Sequence, residues 1–155
     1  MKTLSFKSVL FSIFIITGIL ISIVSQFAEK PNIYLQGTVQ LAPELVKHAS
    51  HIQTLFVVLY DAESKRPMPW AAIKFKLRYP AQAGVFHHFV LTPENLQIMD
   101  ANSPVPKTFR AKARLDVNGQ GGMATPGDLV GELLLAPRGS TTASIIINQK
   151  VGTES

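Results

Sequence analysis

The sequence predicts a mainly β fold: an antiparallel β-sandwich of about seven to eight strands, preceded by one N-terminal transmembrane helix. Three observations carry that expectation. The first is Ser8 to Ala28, SVLFSIFIITGILISIVSQFA, a run without a charge, fenced by Lys7 before it and by Glu29 and Lys30 after it. At about 1.5 Å per helical residue it is roughly 31 Å long, close to the hydrocarbon thickness of a bilayer. The second is a change of pattern after Asn32, from solid apolar to short stretches of period-two alternation bounded by Pro, Gly, Asn and Asp. The third is that no long amphipathic helical pattern and no internal repeat follows.

Taken in order, the chain divides into a cytoplasmic N-terminus (1–7), the transmembrane helix (8–28), a short linker (29–33), one β-sandwich domain (34–151) and a tail (152–155). Tyr34 to Leu41 reads as the first strand. Ala42-Pro43-Glu44 then opens a brief helical turn to about His48, with proline where a first helical residue tolerates it. Thr54 to Tyr60, TLFVVLY, is apolar on both faces and is expected at the centre of the core. Trp70 to Tyr79 alternates, with Ile73, Phe75, Leu77 and Tyr79 on one side and Lys74, Lys76 and Arg78 on the other. Val85 to Leu91 is a strand, and Thr92-Pro93-Glu94-Asn95 a capped turn. Thr108 to Val117 alternates again, its Arg110, Lys112, Arg114 and Asp116 outward. Asn118-Gly119 and Gly121-Gly122 mark a turn and a loose connection. Leu129 to Leu135 and Ser144 to Val151 complete the strands.

Lys2 and Lys7 precede the apolar run with no acidic residue among them, so the positive-inside rule places the N-terminus in the cytoplasm and the β-domain across the membrane. The rival reading is a cleaved signal peptide. It wants small residues one and three positions before the cut, and here Ala28 pairs with Gln26 and Ser25 with Ile23. The few residues of the linker would hold the domain near the membrane surface. The absence of cysteine rules out disulfides, thiolate nucleophiles, iron–sulfur clusters and cysteine-linked haem. The formal charge is +5. With Lys2 and Lys7 set aside, about +3 is left for the domain, a mild bias toward anionic lipid or an acidic partner. No helix offers a basic recognition face, so no nucleic acid is expected.

Candidate chemistry is sparse. Two histidine pairs, with Met68, Met99 and Met123 as possible thioether ligands, could suggest copper or zinc. But His87 and His88 are adjacent on a strand and point to opposite faces, while His48 and His51, three apart, give only two ligands, so no metal site is expected. The carboxylates are scattered, and no nucleophile elbow or phosphate loop is present, so no catalysis, cofactor or small-molecule substrate is expected. Asp128 in Pro126-Gly127-Asp128 is expected to be a structural turn whose carboxylate binds nearby amides. Trp70 is expected to be a core or rim aromatic. The most physical signal is a double basic stripe, Lys74, Lys76 and Arg78 on one strand and Arg110, Lys112 and Arg114 on another. On neighbouring strands they would form one repelling patch suited to an anionic partner. On separate sheets they would be two ordinary solvated faces.

Several motifs occur in a fixed order: Gly37-Thr38-Val39 with Leu41-Ala42-Pro43, Thr54-Leu55-Phe56-Val57, Met68-Pro69, and Pro126-Gly127-Asp128-Leu129 with Gly131. Over Tyr34 to Val151 they resemble the C-terminal periplasmic domain of the CycH-type (CcmI-type) subunit of bacterial cytochrome c maturation. The resemblance implies an extracytoplasmic domain attached to a subunit of the bacterial inner membrane, and the lone apolar run Ser8 to Ala28 makes the expected protein single-pass. Its periplasmic domain would be non-catalytic and contact haem-ligation proteins or apocytochrome. Members of that family typically carry a second transmembrane helix and a helical-repeat domain that captures the client, and neither has room here. An alternative reading follows: an accessory or assembly subunit of a membrane respiratory complex, with the β-domain capping its periplasmic face.

Overall fold

The computed structural model describes residues 32–66 and 68–152. The expected transmembrane helix, 8–28, lies outside the described residues. Among the described residues no helix is long and apolar enough to cross a membrane.

The strands are β1 (Leu35–Leu41), β2 (Thr54–Asp61), β3 (Ala71–Lys76), β4 (Gly84–Leu91), β5 (Gln97–Ile98), β6 (Thr108–Asp116), β7 (Leu129–Pro137) and β8 (Ser140–Lys150). A 3-10 turn, Pro43–Leu45, leads into the one-turn helix α1 (Val46–Ala49). All eight strands belong to a single sheet in the order β4-β1-β8-β7-β6-β2-β3-β5. The two-sheet sandwich is therefore overturned, because the sheet curls into a half-barrel that buries its own concave face. It is not purely antiparallel either, since β1 and β8 pair in parallel. Alternation requires only that one face of each strand be buried, and a curled sheet meets that requirement as well as two stacked sheets do.

Two glycines help set the curl. Gly37 on β1 and Gly131 on β7 flank β8 on its two sides, each beside a register shift. A Cβ at Gly37 would run into the carbonyl oxygen of Ala143, and one at Gly131 into that of Ile146. Bulges of this kind bend the strand and raise its twist.

The concave face carries Leu35, Val39 and Leu41 from β1, Leu55, Val57 and Leu59 from β2, Phe109, Ala111, Ala113 and Leu115 from β6, and Ile145 and Ile147 from β8, all at most 1 % exposed. Each large aliphatic among them contributes about 1.5–3 kcal/mol by leaving water. At the end where β1 begins, Tyr34, Trp70 and Phe109 close the core, with ring centroids 5.5 Å apart for Tyr34–Trp70 and 5.7 Å for Trp70–Phe109. Trp70 is 4 % exposed. At the other end Leu45 and Ala49 from the helical turns, with Ile52, are buried in the same core.

β3 is shorter than the alternation suggests. Its partner β2 begins at Thr54, opposite Lys76, so Arg78 and Tyr79 lie past the ladder in a bend before Pro80. β5, two residues long, is too short to leave a periodic signal.

Candidate functional site

β2 pairs with β3 on one side and β6 on the other, so residues of the three strands align across the sheet. Phe56 sits between Lys74 and Arg114, and Val58 between Ala72 and Lys112. Tyr60 is paired with Arg110, and Thr54 lies between Lys76 and Asp116. Lys74, Lys76, Arg110, Lys112 and Arg114 thus project from one face, the convex one, with β2 dividing them into two rows. Arg78, off the ladder, does not belong to either row.

The aromatic strand between the rows explains how like charges tolerate this arrangement. Lys74 Nζ lies 5.7 Å from the centroid of Phe56, and the Arg114 guanidinium 5.3 Å from the same ring. The Arg110 guanidinium lies 4.6 Å from the Tyr60 ring. Each cation meets the negative face of a ring, an attraction of about 0.5–1 kcal/mol at exposed sites.

The five cations are not equivalent. Arg114 is 8 % exposed, and its Nη2 lies 2.8 Å from Asp116 Oδ2, an ion pair by distance that is off the angle of a hydrogen bond. Its Nη1 donates to the Gly122 carbonyl at 2.9 Å, and its Nε is 3.8 Å from Asp128 Oδ2. Arg110 Nε pairs with Glu132 at 3.5 Å, and Lys74 Nζ donates to the Gly119 carbonyl at 2.6 Å. Lys112 lies on the face without a carboxylate partner among the described residues.

Arg114 is the hub of the loop that follows β6. Asp116 Oδ1 accepts from the amides of Asn118 (3.1 Å) and Gly119 (2.5 Å). The fully buried Asp128 accepts from Val117 N at 3.0 Å and Thr125 N at 2.8 Å. Pro126 and Gly127 make the turn, and Gly127 N donates to the Val151 carbonyl at 2.9 Å, fastening the loop to the end of β8. Residues 116–128 are thereby held beside the basic face.

That loop forms one wall of a groove of about 550 Å³ on the convex face. Phe56, Val58 and Tyr60 make the floor, and Gln120 to Ala124 one wall. Pro69, Gln97 and Met99 make the other, and Lys74, Lys112 and Arg114 supply the charge. No acidic side chain lines it. Burial raises the Tyr60 phenol above its ordinary value of 10.0, Arg110 and Arg114 oppose that rise, and Glu132 adds to it.

The sequence reading missed the floor. It took the outer residues of TLFVVLY for core, because an apolar side chain does not say whether it is covered by the protein or left for a ligand. Nothing in the sequence placed Met99 and Met123, 49 % and 90 % exposed, at a groove. Elsewhere, His87 turns inward and His88 outward, and His48 Nδ1 meets Lys150 Nζ at 3.4 Å. Among the described residues no cluster of His, Asp or Glu suited to a metal ion is found. No protein-family model, curated protein or solved structure matches the chain.

Proposed function

We propose that this chain is a membrane-associated, non-catalytic interaction domain that assists cytochrome c maturation on the periplasmic side of a bacterial inner membrane. It holds a protein partner on the convex face of β3, β2 and β6. The observation that carries the interaction reading is the groove, with three cations, an aromatic and aliphatic floor and no acid in its lining. Arg114 is paired with Asp116 and Asp128, but Lys74 and Lys112 make no ion pair among the described residues, and an anionic surface closing over the groove supplies the charge they lack. The lining offers no histidine or carboxylate to act as a general base beside its Tyr60 phenol and lysine amines, which suits recognition rather than chemistry.

The setting rests on two sequence features. The uncharged Ser8–Ala28 segment behind Lys2 and Lys7 supports a membrane location with the domain outside the cytoplasm. The motifs over Tyr34–Val151 support cytochrome c maturation. The test is deletion of the gene and staining of membranes for covalently bound haem. Loss of c-type cytochromes is expected, restored by the wild-type chain and not by one carrying Lys74→Glu and Lys112→Glu. Unchanged haem attachment overturns the maturation role. Stoichiometric co-purification with a respiratory complex would assign the accessory-subunit role in its place.

A further inference from the structure

We infer that the convex groove is a peptide site, taking an extended segment in which an acidic side chain is flanked by apolar ones. The inference rests on the interaction reading above and names the ligand class of that same face.

Four observations converge. The floor residues Phe56, Val58 and Tyr60 follow one another at every second position of β2, so the apolar track is about 13 Å long, the span of roughly four extended residues. An extended peptide presents side chains at the same repeat. The walls carry two glutamines, Gln97 on one side and Gln120 on the other, both exposed. Each amide offers a donor and an acceptor, which is what an unpaired peptide backbone needs on leaving water. The tops of the walls are Met99 and Met123, unbranched and adaptable, able to close over apolar side chains of differing shape.

The charge gives the acidic requirement a position. Arg114 is committed to Asp116, Asp128 and the Gly122 carbonyl, and it serves as scaffold. Lys112 stands across from Val58 on one side and Glu132 on the other. Since Glu132 pairs with Arg110 and Lys112 makes no ion pair among the described residues, Lys112 is the seat for an incoming carboxylate. Lys74 lies one pair further along and keeps donors in hand beyond its bond to Gly119. A bilayer surface is flat and would rest on the rims, leaving the recessed floor unfilled, whereas a single chain reaches it.

The test uses the full-length chain in dodecyl maltoside and a fluorescein-labelled hexapeptide alternating leucine with aspartate, read by anisotropy. Saturable binding is expected, weakened about tenfold by Lys112→Glu and by Val58→Asp, as for groups at the centre of an interface. Lys107→Glu, outside the groove, leaves it unchanged. Met123→Asp alters an exposed loop position and leaves the sheet untouched, so it is expected to weaken binding even where Val58→Asp fails to fold. A leucine–serine hexapeptide is expected to bind about tenfold more weakly than the aspartate peptide, and rising salt narrows that difference. Absence of saturable binding, equal binding of the serine peptide, or indifference to both Lys112→Glu and Met123→Asp overturns the inference. Protection of Lys112 from acetylation by short-chain phosphatidylglycerol, and not by the peptide, also overturns it and makes the ligand a lipid headgroup. If the peptide fails while Lys74→Glu with Lys112→Glu still abolishes complementation, the peptide assignment falls and the interaction reading stands.

Discussion

The ring of Phe75 on β3 and the imidazole of His87 on β4 lie 4.4 Å apart, centroid to centroid, although their strands share no ladder and stand far apart in the sheet order. The pair bridges the open side of the half-barrel by side chains where the backbone does not close it. His87 Nε2 is buried there without a hydrogen-bond partner. Burial first, and the neighbouring His88 second, hold its pKa below the ordinary 6.5.

That shift has a sign. With the folded pKa depressed, the unfolded chain binds the proton more readily, so stability rises with pH across this range. The contribution of a neutral His87 is fully present above about pH 6.5 and is lost as pH falls through that value toward the folded pKa. Thermal midpoints recorded from about pH 8 down to about pH 5 are expected to fall for the wild type, and His87→Phe is expected to flatten the fall. An equal decline in the variant would show that the acid sensitivity arises elsewhere.

The glycines beside β8 should be intolerant of a methyl group. Gly37→Ala and Gly131→Ala each force a side chain against a carbonyl of β8 and are expected to cost about 2–3 kcal/mol in urea unfolding. Gly152→Ala, which meets no atom within 4 Å, serves as the neutral comparison.

Asp128 should be more sensitive than an ordinary turn carboxylate. Asp128→Ala strands the amides of Val117 and Thr125 and removes an anion from beside the buried Arg114, and about 3–5 kcal/mol of stability is expected to be lost. Asp128→Asn keeps an acceptor oxygen and is expected to lose less. Denaturant midpoints of the two variants, measured together, check the ordering.

The phenol of Tyr60 reports the electrostatics of the convex face. Ultraviolet titration is expected to place its ionisation above the ordinary 10.0. Arg110→Gln removes an opposing cation and raises it further, while Glu132→Gln removes an anion and lowers it. Movement in the reverse direction in either variant would contradict the arrangement of Arg110 and Glu132 around the ring.

The strands, though not the way they assemble, were legible in the sequence because alternation is a local property. Phe109, Ala111, Ala113 and Leu115 announce a strand with one buried face whatever lies beside it. Closure is not local. Whether β4 stacks in a second sheet or continues the first depends on Leu35 to Leu41 pairing with both Leu91 to Gly84 and Ser140 to Ile147. Nothing within those segments declares it. The basic residues followed the same division. Lys74 and Lys112 were visible as strand-exposed cations, but their common face depended on both strands choosing β2 as neighbour. The groove was less legible still, since Met99 and Met123 reach it from connections without periodicity and Gln97 from β5, too short to show any.

The parallel pairing of β1 with β8 has a mechanical consequence. The first and last strands of the domain lie side by side and run the same way, with Leu35 beside Ser140 and Leu41 beside Ile147. A pull on the two chain ends slides one strand along the other. Every hydrogen bond between them is then loaded at once, where a peeling geometry would break them one by one. With β4 on one flank and β7 on the other, the pair that takes the force is also the most enclosed part of that half of the sheet. A domain wired this way transmits tension from its first strand to its last before it unravels.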